Sequence, residues 1–285
     1  MARILIAGCG DVGSLLGLIL ARAGHDVWGL RRNAAAVPAP IRPLAADLSD
    51  RAALEPLPAN LEYVFYTAAA GGATRERYHA AYVEGVANLI AALQRAKQNP
   101  RRILFTSSTS VYAQTAGVWV DEDSPADADA FSAQCLRQGE NQVWRSPYPA
   151  TVVRFGGIYG PGRTRLIDSL RQGESRCAAG AYSNRIHRDD CAAALMHIME
   201  LPNPAALYLG VDDDPALQCE VLRWLAERLG VSGPTQIDAL DATRRSGNKR
   251  CRNDRLRASG YRFRYPSYRQ GYAEMLKSSC QDQRN

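Results

Sequence analysis

Short apolar runs alternate with amphipathic stretches along most of the chain. Arg3–Ala7 (RILIA) and Asp26–Leu30 (DVWGL) have the length and composition of buried parallel strands, whereas Tyr78–Lys97 repeats its apolar residues at helical spacing. The same patterns predict strands at Ile41–Asp47, Tyr63–Ala70, Arg102–Ser107, Thr151–Phe155 and Ala206–Val211, and helices at Phe131–Trp144, Arg185–Glu200 and Pro215–Gly230. This alternation predicts an α/β fold in which helices cover both faces of a parallel sheet.

The link between the first strand and the first helix has the spacing G-x-G-x-x-G, which is informative because of that position. It consists of Gly8, Cys9, Gly10, Asp11, Val12 and Gly13. Gly8 permits a tight turn, Gly10 lets the backbone approach a pyrophosphate, and Gly13 allows close helix–strand packing. The N-terminus of the following helix offers N–H groups to the phosphates. The turn predicts a dinucleotide-binding, Rossmann-type doubly wound sheet. A glycine-rich turn without a ligand is the simpler alternative.

The end of the second strand indicates which dinucleotide binds. A protein that prefers NAD usually carries Asp or Glu about 20 residues after the glycines, bonded to the ribose 2′-hydroxyl. This chain has Arg31 and Arg32 there. Two guanidinium groups suit a 2′-phosphate, so NADP(H) is favoured over NAD(H), and the alternative is that both are solvated surface charges.

Residues after other predicted strands are expected to line the same cofactor. The pair at the end of the third strand is placed beside the adenine, the small residues at the end of the fourth leave room for a ribose, and the fifth strand ends in hydroxyls. These residues are Asp47, Leu48, Ala68, Ala69, Ala70 and Ser107.

Length and composition bound the remaining organisation. The 285 residues suit a Rossmann domain at 1–160 and a smaller mixed α/β substrate-binding region at 161–285, with a soft boundary. No run is apolar enough to cross a membrane, and a strand starts at once, so neither a membrane span nor a signal peptide is expected. The seven scattered cysteines contain no C-x-x-C pair, which favours reduced thiols in a cytoplasmic protein, without disulfides or a metal site.

The net charge of +6 is unevenly distributed. Residues 244–264 contain nine basic residues and one acid. No nucleic-acid-binding module accompanies them, so we expect no nucleic-acid partner. An anionic small-molecule substrate or a solvated helix face is the better interpretation.

Several segments together are characteristic of one group of enzymes. They are GCGDVG at 8–13, Asp47-Leu48, TAAA at 67–70, YVEGVANLIAAL at 82–93, FTSSTSVYA at 105–113, VVRFGGIYGPGR at 152–163 and RIHRDD at 185–190. As a set they resemble the extended short-chain dehydrogenase/reductase superfamily, in its NAD-dependent epimerase/dehydratase branch. The C-terminal half resembles the atypical, YeeZ-like subgroup. The resemblance covers nearly the whole chain and implies NAD(P) binding.

The resemblance also implies a catalytic trio of Ser or Thr, Tyr, and a Lys four residues after that Tyr. Ser108 matches the first member. The other two are missing, because Ser132 and Leu136 stand at the approximate Tyr and Lys positions and the chain contains no Y-x-x-x-K. A phenol without a nearby cation is a poor base at neutral pH. We therefore expect an altered active site, for which Tyr112 or Tyr159 is a candidate recruited group.

Three arginines are candidates to grip a substrate phosphate or carboxylate in the pocket that the resemblance implies: Arg154, Arg163 and Arg185. His187 is expected to be a hydrogen-bonded structural residue, and Asp189 or Asp190 a helix cap. The resemblance further implies a homodimer through the helices predicted at Tyr78–Lys97 and Phe131–Trp144.

Two functional hypotheses follow. The first is an NADP(H)-dependent oxidoreductase or epimerase-like enzyme that acts on a small, anionic or nucleotide-linked molecule. The second is a dinucleotide-binding sensor or regulatory protein without turnover. The missing Tyr and Lys favour the second hypothesis, whereas the glycine turn and Ser108 fit both.

Overall fold

The computed structural model describes residues 1–237 and 247–282. Its strands are β1 (Arg3–Ala7), β2 (Asp26–Arg31), β3 (Arg42–Ala45), β4 (Tyr63–Tyr66), β5 (Arg102–Ser108), β6 (Val118–Val120), β7 (Ala150–Phe155), β8 (Gly157–Tyr159), β9 (Arg176–Ala178), β10 (Tyr182–Ser183), β11 (Arg185–His187), β12 (Leu207–Gly210), β13 (Ala216–Leu217), β14 (Thr235–Ile237) and β15 (Lys249–Cys251). Its helices are α1 (Asp11–Arg22), α2 (Arg75–His79), α3 (Gly85–Arg95), α4 (Phe131–Arg145), α5 (Arg165–Arg171), α6 (Arg188–Glu200), α7 (Gln218–Leu229), α8 (Asp254–Ala258) and α9 (Tyr268–Asp282). None of the helices in these ranges is long and apolar enough to span a membrane.

Seven strands form one parallel sheet in the order β12-β7-β5-β4-β1-β2-β3. β1 pairs with β2 on one side, from Arg3 opposite Asp26 to Ala7 opposite Leu30, and with β4 on the other. The strand order changes direction between β1 and β4, and doubly wound folds bind ligands at the carboxyl ends of the strands beside such a point. The predicted α/β Rossmann fold is confirmed.

One face of the sheet packs against α3. Leu5 and Phe105 of the sheet belong to the same buried cluster as Val86, Leu89 and Leu93 of the helix. Burying such side chains stabilises the fold by about 1.5–3 kcal/mol each. Packing inside the molecule thus accounts for the apolar residues of this helix, and the homodimer stays a prediction.

The predicted helix Tyr78–Lys97 contains one wide turn. A π-helical turn at Ala80–Glu84 separates α2 from α3, which begins at Gly85. A Cβ on Gly85 would lie 2.5 Å from the Tyr66 hydroxyl oxygen, so the glycine lets the helix pass close to β4. The predicted helix is present, from Arg75 to Arg95, and the wide turn inside it is a feature that apolar spacing does not reveal.

Two other predicted elements have different bounds. The fourth strand ends at Tyr66, and the alanines after it form a loop. The segment GGIYGPGR, for which the sequence predicts no strand or helix, contains β8, which pairs in parallel with β11. The strand is only three residues long, too short for a periodic signal.

The described residues divide into two interleaved units, whereas the sequence suggested one boundary near residue 160. Unit 1 consists of Met1–Val111, Ala128–Arg154 and Ala192–Tyr208, and unit 2 of Tyr112–Asp127, Phe155–Cys191 and Leu209–Asn285. The division is not sequential, because the segment with α4 and most of β7 and the segment with most of α6 belong to unit 1, although a segment of unit 2 lies before and after each of them along the chain.

Unit 2 contains a disulfide between Cys177 of β9 and Cys219 of α7. Both cysteines are buried, and their Cα atoms are 5.1 Å apart. The expectation that all thiols are reduced is therefore wrong for this pair. The two residues are separated by 42 positions, so no local spacing could indicate that they meet.

Candidate functional site

The glycine turn lies in unit 1, between β1 and α1. The amides of Gly8 and Cys9 donate hydrogen bonds to the Leu30 carbonyl at 3.0 and 2.9 Å. The Thr67 hydroxyl donates to the Gly8 carbonyl at 2.9 Å. These bonds hold the turn against the ends of β2 and β4, at the point where dinucleotides bind doubly wound sheets.

The three glycines of the turn differ in the space around them. Gly8 has a φ of +92°, and a Cβ on it would overlap the backbone nitrogen of Ala68. A Cβ on Gly13 would lie 2.6 Å from the Thr67 hydroxyl oxygen, whereas the nearest atom to a Cβ on Gly10 would be 3.9 Å away. Gly8 and Gly13 are thus required by packing, and the open space beside Gly10 fits a pyrophosphate.

The start of α1 also suits a phosphate. Gly10 is the N-cap of α1, and among the described residues no side chain caps this helix. The N-terminus of a helix offers N–H groups and the positive end of its dipole to an anion. Cys9 is fully buried, and burial raises the pKa of its thiol. Cys9 is therefore a packing residue, because a neutral buried thiol is a poor nucleophile.

Arg31 and Arg32 lie at the end of β2, as predicted. Arg31 donates from Nη1 to the Ala36 carbonyl at 3.2 Å. The Arg32 side chain is 81% exposed, and its Nη1 is 4.0 Å from the Asp47 carboxylate. Hydrogen bonds from the backbone and hydroxyl of Ser49 lower the pKa of Asp47. Asp47 thus has its own partners, and the Arg32 guanidinium is accessible to a ligand.

The remaining cofactor candidates also belong to unit 1. Ala68 and Ala70 are half-buried and Ala69 is exposed, so the loop presents only small side chains. The Leu48 carbonyl accepts a hydrogen bond from Asn88 of α3 at 3.0 Å, which anchors the segment after β3.

Ser107 and Arg154 meet at a residue that the sequence analysis did not select. Glu140 of α4 accepts from the Ser107 hydroxyl at 2.6 Å, and from Nε and Nη2 of Arg154 at 2.9 and 2.7 Å. The Glu140 and Arg154 side chains are 1% and 6% exposed. The bidentate pair joins α4 to β7, so Arg154 is an internal ion-pair residue instead of the substrate contact expected from the sequence.

Aromatic rings cover the start of α4, where the resemblance implied Tyr and Lys. Ser132 is half-buried and Leu136 is buried. The Phe131 ring lies edge-on to Tyr78 of α2, with centroids 5.6 Å apart. Ser132 and Leu136 carry neither a phenol nor an amine, so this part of α4 cannot supply the usual acid–base pair.

The hydroxyls of both candidate tyrosines donate to carbonyls within unit 2. Buried Tyr112 donates to Asp121 at 2.8 Å, and buried Tyr159 to Ser267 at 3.3 Å. Burial also raises the pKa of Tyr159, whose ring stacks on Tyr272. Recruitment of either phenol stays a prediction, and these bonds must break first. In unit 1, the Ser108 hydroxyl oxygen accepts from the Ser110 amide at 3.1 Å.

The other two candidate arginines lie in different settings within unit 2. Arg163 is exposed in the turn after β8, whereas Arg185 is buried in β11 and donates to the Ser183 carbonyl at 3.4 Å. The neighbouring Asp212 is also buried, and its Oδ2 has no hydrogen-bond partner among the residues that the structure describes. Burial raises the pKa of Asp212 well above its usual range, although Arg185 opposes the shift.

His187 and Asp190 both stabilise unit 2. His187 is buried, and its Nδ1 accepts from the Asp189 amide at 3.2 Å at the start of α6. Burial lowers the pKa of this imidazole. Asp190, expected to be a cap, accepts instead from the Tyr261 hydroxyl at 2.7 Å and from two backbone amides at 264 and 265. It therefore anchors a segment more than 70 residues away.

Two contributors to the site were missed from the sequence. Thr67 precedes the alanine loop, and Glu140 is a carboxylate on the buried face of α4. Only Glu140 had a detectable signal, because a charged residue on an apolar helix face requires a partner.

A polar cavity of about 640 Å³ lies at the opposite edge of the sheet in unit 1. Its lining includes His25, Glu62, Arg101 and Arg102, near the amino ends of β1, β4 and β5. Ligands of doubly wound folds bind at the carboxyl ends, so this cavity is not the candidate site.

Comparison with known proteins establishes the family. Residues 4–207, more than half of the chain, match the model of the NAD dependent epimerase/dehydratase family. The chain belongs to this family. The glycine turn fits the nicotinamide dinucleotide that the family uses.

Three relatives match along nearly their whole length. A structure from Methylobacillus flagellatus, assigned to the NAD-dependent epimerase/dehydratases, is 38% identical, with 98% of each chain covered and a TM-score of 0.82. The 3-diazoavenalumate denitrifying reductase of a Streptomyces species is 29% identical over 94% of this chain and 98% of its own. Protein YeeZ of Escherichia coli K12 is 26% identical over 93% and 97%, which confirms the resemblance to YeeZ-like proteins.

Proposed function

We propose that the chain is an NADP(H)-dependent oxidoreductase that reduces a small molecule with an anionic group, and that no phenol serves as its proton donor. One observation carries this proposal: the complete turn Gly8–Gly13 is combined with a helix α4 that has Ser132 and Leu136 at the Tyr and Lys positions. When bound, the dinucleotide supplies a hydride from its nicotinamide ring.

The preference for NADP(H) rests on the end of β2. Arg31 and Arg32 stand where an NAD-preferring protein places a carboxylate, and Asp47 is bonded to Ser49. Guanidinium groups bind a phosphate through charge-assisted hydrogen bonds. NADPH has this phosphate on the ribose 2′-oxygen, whereas NADH has only a hydroxyl there. A cytoplasmic location and a homodimer remain predictions from the sequence.

The missing acid–base pair restricts the acceptor. Hydride addition to a ketone leaves charge on oxygen, which a positioned acid must protonate, and an epimerase acting on an alcohol needs the reverse proton transfer. A cationic acceptor becomes neutral when it takes a hydride. An iminium group gives an amine, and a diazonium group loses N₂ as the new C–H bond forms. The Streptomyces relative is by its name a reductase of a diazo compound, which supports an acceptor of this kind. Ser108 then serves only to orient the acceptor.

The test compares two acceptors of matched shape, a cyclic iminium salt and the corresponding ketone, each with a carboxylate. We expect NADPH to be consumed with the iminium, and deuterium from labelled NADPH to reach the product carbon. Ser108→Ala, Tyr112→Phe and Tyr159→Phe should each retain most of the activity, whereas Gly10→Val serves as the cofactor-binding control. Equal reduction of the ketone would contradict the proposal. Loss of iminium reduction in either tyrosine variant would contradict it as well.

A dinucleotide-binding sensor without turnover is the second candidate function. The bonds from the Tyr112 and Tyr159 hydroxyls to main-chain carbonyls favour it, because neither phenol can act as a base until that bond breaks. NADPH binding that Gly10→Val abolishes, with no oxidation by any acceptor in the panel, would support this candidate over the reductase.

A further inference from the structure

The arginines that follow residue 250 mostly have carboxylate partners within unit 2. The pairs are Arg252 with Asp254, Arg255 with Glu122 and Asp123, Arg257 with Asp213, Arg264 with Asp189, and Arg269 with Asp214. Arg250 differs from them. In the part of the chain that the structure describes, it has no carboxylate partner.

Two aromatic rings and one carbonyl hold Arg250. Its Cζ atom lies 4.6 Å from the ring centroid of Trp119 and 4.9 Å from that of Tyr182. Nε donates to the Gly117 carbonyl at 2.7 Å. A guanidinium has five N–H donors, and the four on its two Nη atoms have no acceptor within residues 1–237 and 247–282.

This arrangement exists before any ligand arrives. β15 pairs with β6 so that Arg250 stands opposite Trp119. Gly117 has a φ of +69°, and a Cβ on it would lie 2.9 Å from the Tyr182 ring, so only glycine lets that ring approach. Asn248 accepts from the Tyr182 amide at 2.9 Å and fixes the second ring. A preformed site loses little conformational entropy on binding.

The chemistry of the cluster selects an anion with an apolar body. Rings on a guanidinium displace water from it, and its planar fork matches a carboxylate. Trp119 is 44% exposed. The Arg252 guanidinium also lies over its ring, with Cζ 5.0 Å from the centroid, so the apolar surface beside the Arg250 fork is the part of the ring that the two guanidinium groups leave uncovered. The neighbouring Arg252 is paired with Asp254 at 3.6 Å, so Arg250 is the guanidinium at this ring without a carboxylate partner among the described residues. A single positive charge suits a monoanion better than a phosphate.

We propose that Arg250, Trp119 and Tyr182 form a binding site for a small aromatic carboxylate. The site lies wholly on unit 2, so its test requires neither cofactor binding nor turnover, and its failure would leave the proposed function untouched.

The test uses the indole N–H resonance of Trp119, one of four tryptophans, assigned with the Trp119→Phe variant. Benzoate is titrated into the full chain, with benzamide as its uncharged counterpart and inorganic phosphate as the alternative anion. We expect benzoate to shift this resonance saturably, and neither benzamide nor phosphate to do so at equal concentration. No shift with benzoate, or a larger one with benzamide or phosphate, would overturn the proposal.

Arg250→Gln is the decisive variant, and Arg262→Gln is its matched control. Arg262 is exposed in the same basic run and donates only to the carbonyls of Arg257 and Tyr261. Benzoate affinity should fall at least about tenfold in Arg250→Gln and stay native in the control. If Arg250→Gln does not fold, the benzoate affinity of Arg250→Lys is measured instead. This variant keeps the positive charge but lacks the planar fork of the guanidinium. Lowered affinity in that variant supports the site, and unchanged affinity in either Arg250 variant overturns it.

Discussion

The Thr67 hydroxyl donates a hydrogen bond to the Gly8 carbonyl over 2.9 Å. This bond joins the residue after β4 to the turn after β1, the two strands between which the sheet order changes direction. The same hydroxyl occupies the space that a side chain on Gly13 would need. The shape of the dinucleotide turn therefore depends on a residue almost 60 positions away.

The glycines of the turn should separate folding from binding. Gly10→Val should keep native stability and abolish NADPH binding, because its side chain enters the open space beside the turn. Gly13→Ala should lower the free energy of unfolding by about 1–3 kcal/mol, because its Cβ would contact Thr67 and Gly8. Urea unfolding and NADPH fluorescence titration measure the two effects. Native NADPH affinity in Gly10→Val would show that the turn is not a cofactor site.

The two arginines at the end of β2 should determine the cofactor preference. In the double variant Arg31→Ala/Arg32→Ala, affinity for NADPH should fall by at least about tenfold, because charge-assisted bonds contribute about 1.5–3 kcal/mol each. Affinity for NADH should stay unchanged. The double variant Arg22→Ala/Arg145→Ala, which removes two exposed arginines at the ends of α1 and α4, is the control for net charge. Equal affinity of the native protein for both dinucleotides would refute the assignment.

The buried pair of Glu140 and Arg154 should contribute strongly to stability. Glu140→Leu or Arg154→Met leaves one uncompensated buried charge and should destabilise the fold by about 3–5 kcal/mol. The double variant should lose less than the sum of the two, because it buries no charge. A double-mutant cycle by urea unfolding tests this coupling. Additive losses would mean that the two side chains act independently.

Asp212 should make unit 2 less stable as pH rises. Burial raises the folded-state pKa above the unfolded value of about 4, so the folded state retains a proton that the unfolded state releases. Stability from this group is complete below pH 4 and is lost as pH rises through the folded-state pKa. Asp212→Asn should therefore gain stability over the native protein at about pH 7.5 and little at about pH 4.5. Parallel pH profiles in urea unfolding would contradict this.

Local patterns in the sequence were sufficient to predict the sheet, the glycine turn and the position of Arg31 and Arg32. A buried parallel strand is recognisable because it is apolar along its whole length, and the turn because its glycines have a fixed spacing. The absence of Tyr and Lys from α4 could also be recognised in the sequence, because the two residues would lie four positions apart, about one helical turn. These features depend on residues within a few positions of one another.

Only the tertiary structure decided which distant residues become partners. Arg154 pairs with Glu140, Asp190 anchors the backbone at 264 and 265, and Cys177 meets Cys219. Each pairing depends on how separate strands and helices align, which residue spacing along the chain does not encode. Burial then makes each partner obligatory, because a charge or polar group removed from water must be compensated. The sequence by itself thus determined the fold and the dinucleotide turn. Packing decided which polar residues have their hydrogen-bond or ion-pair partners inside the protein.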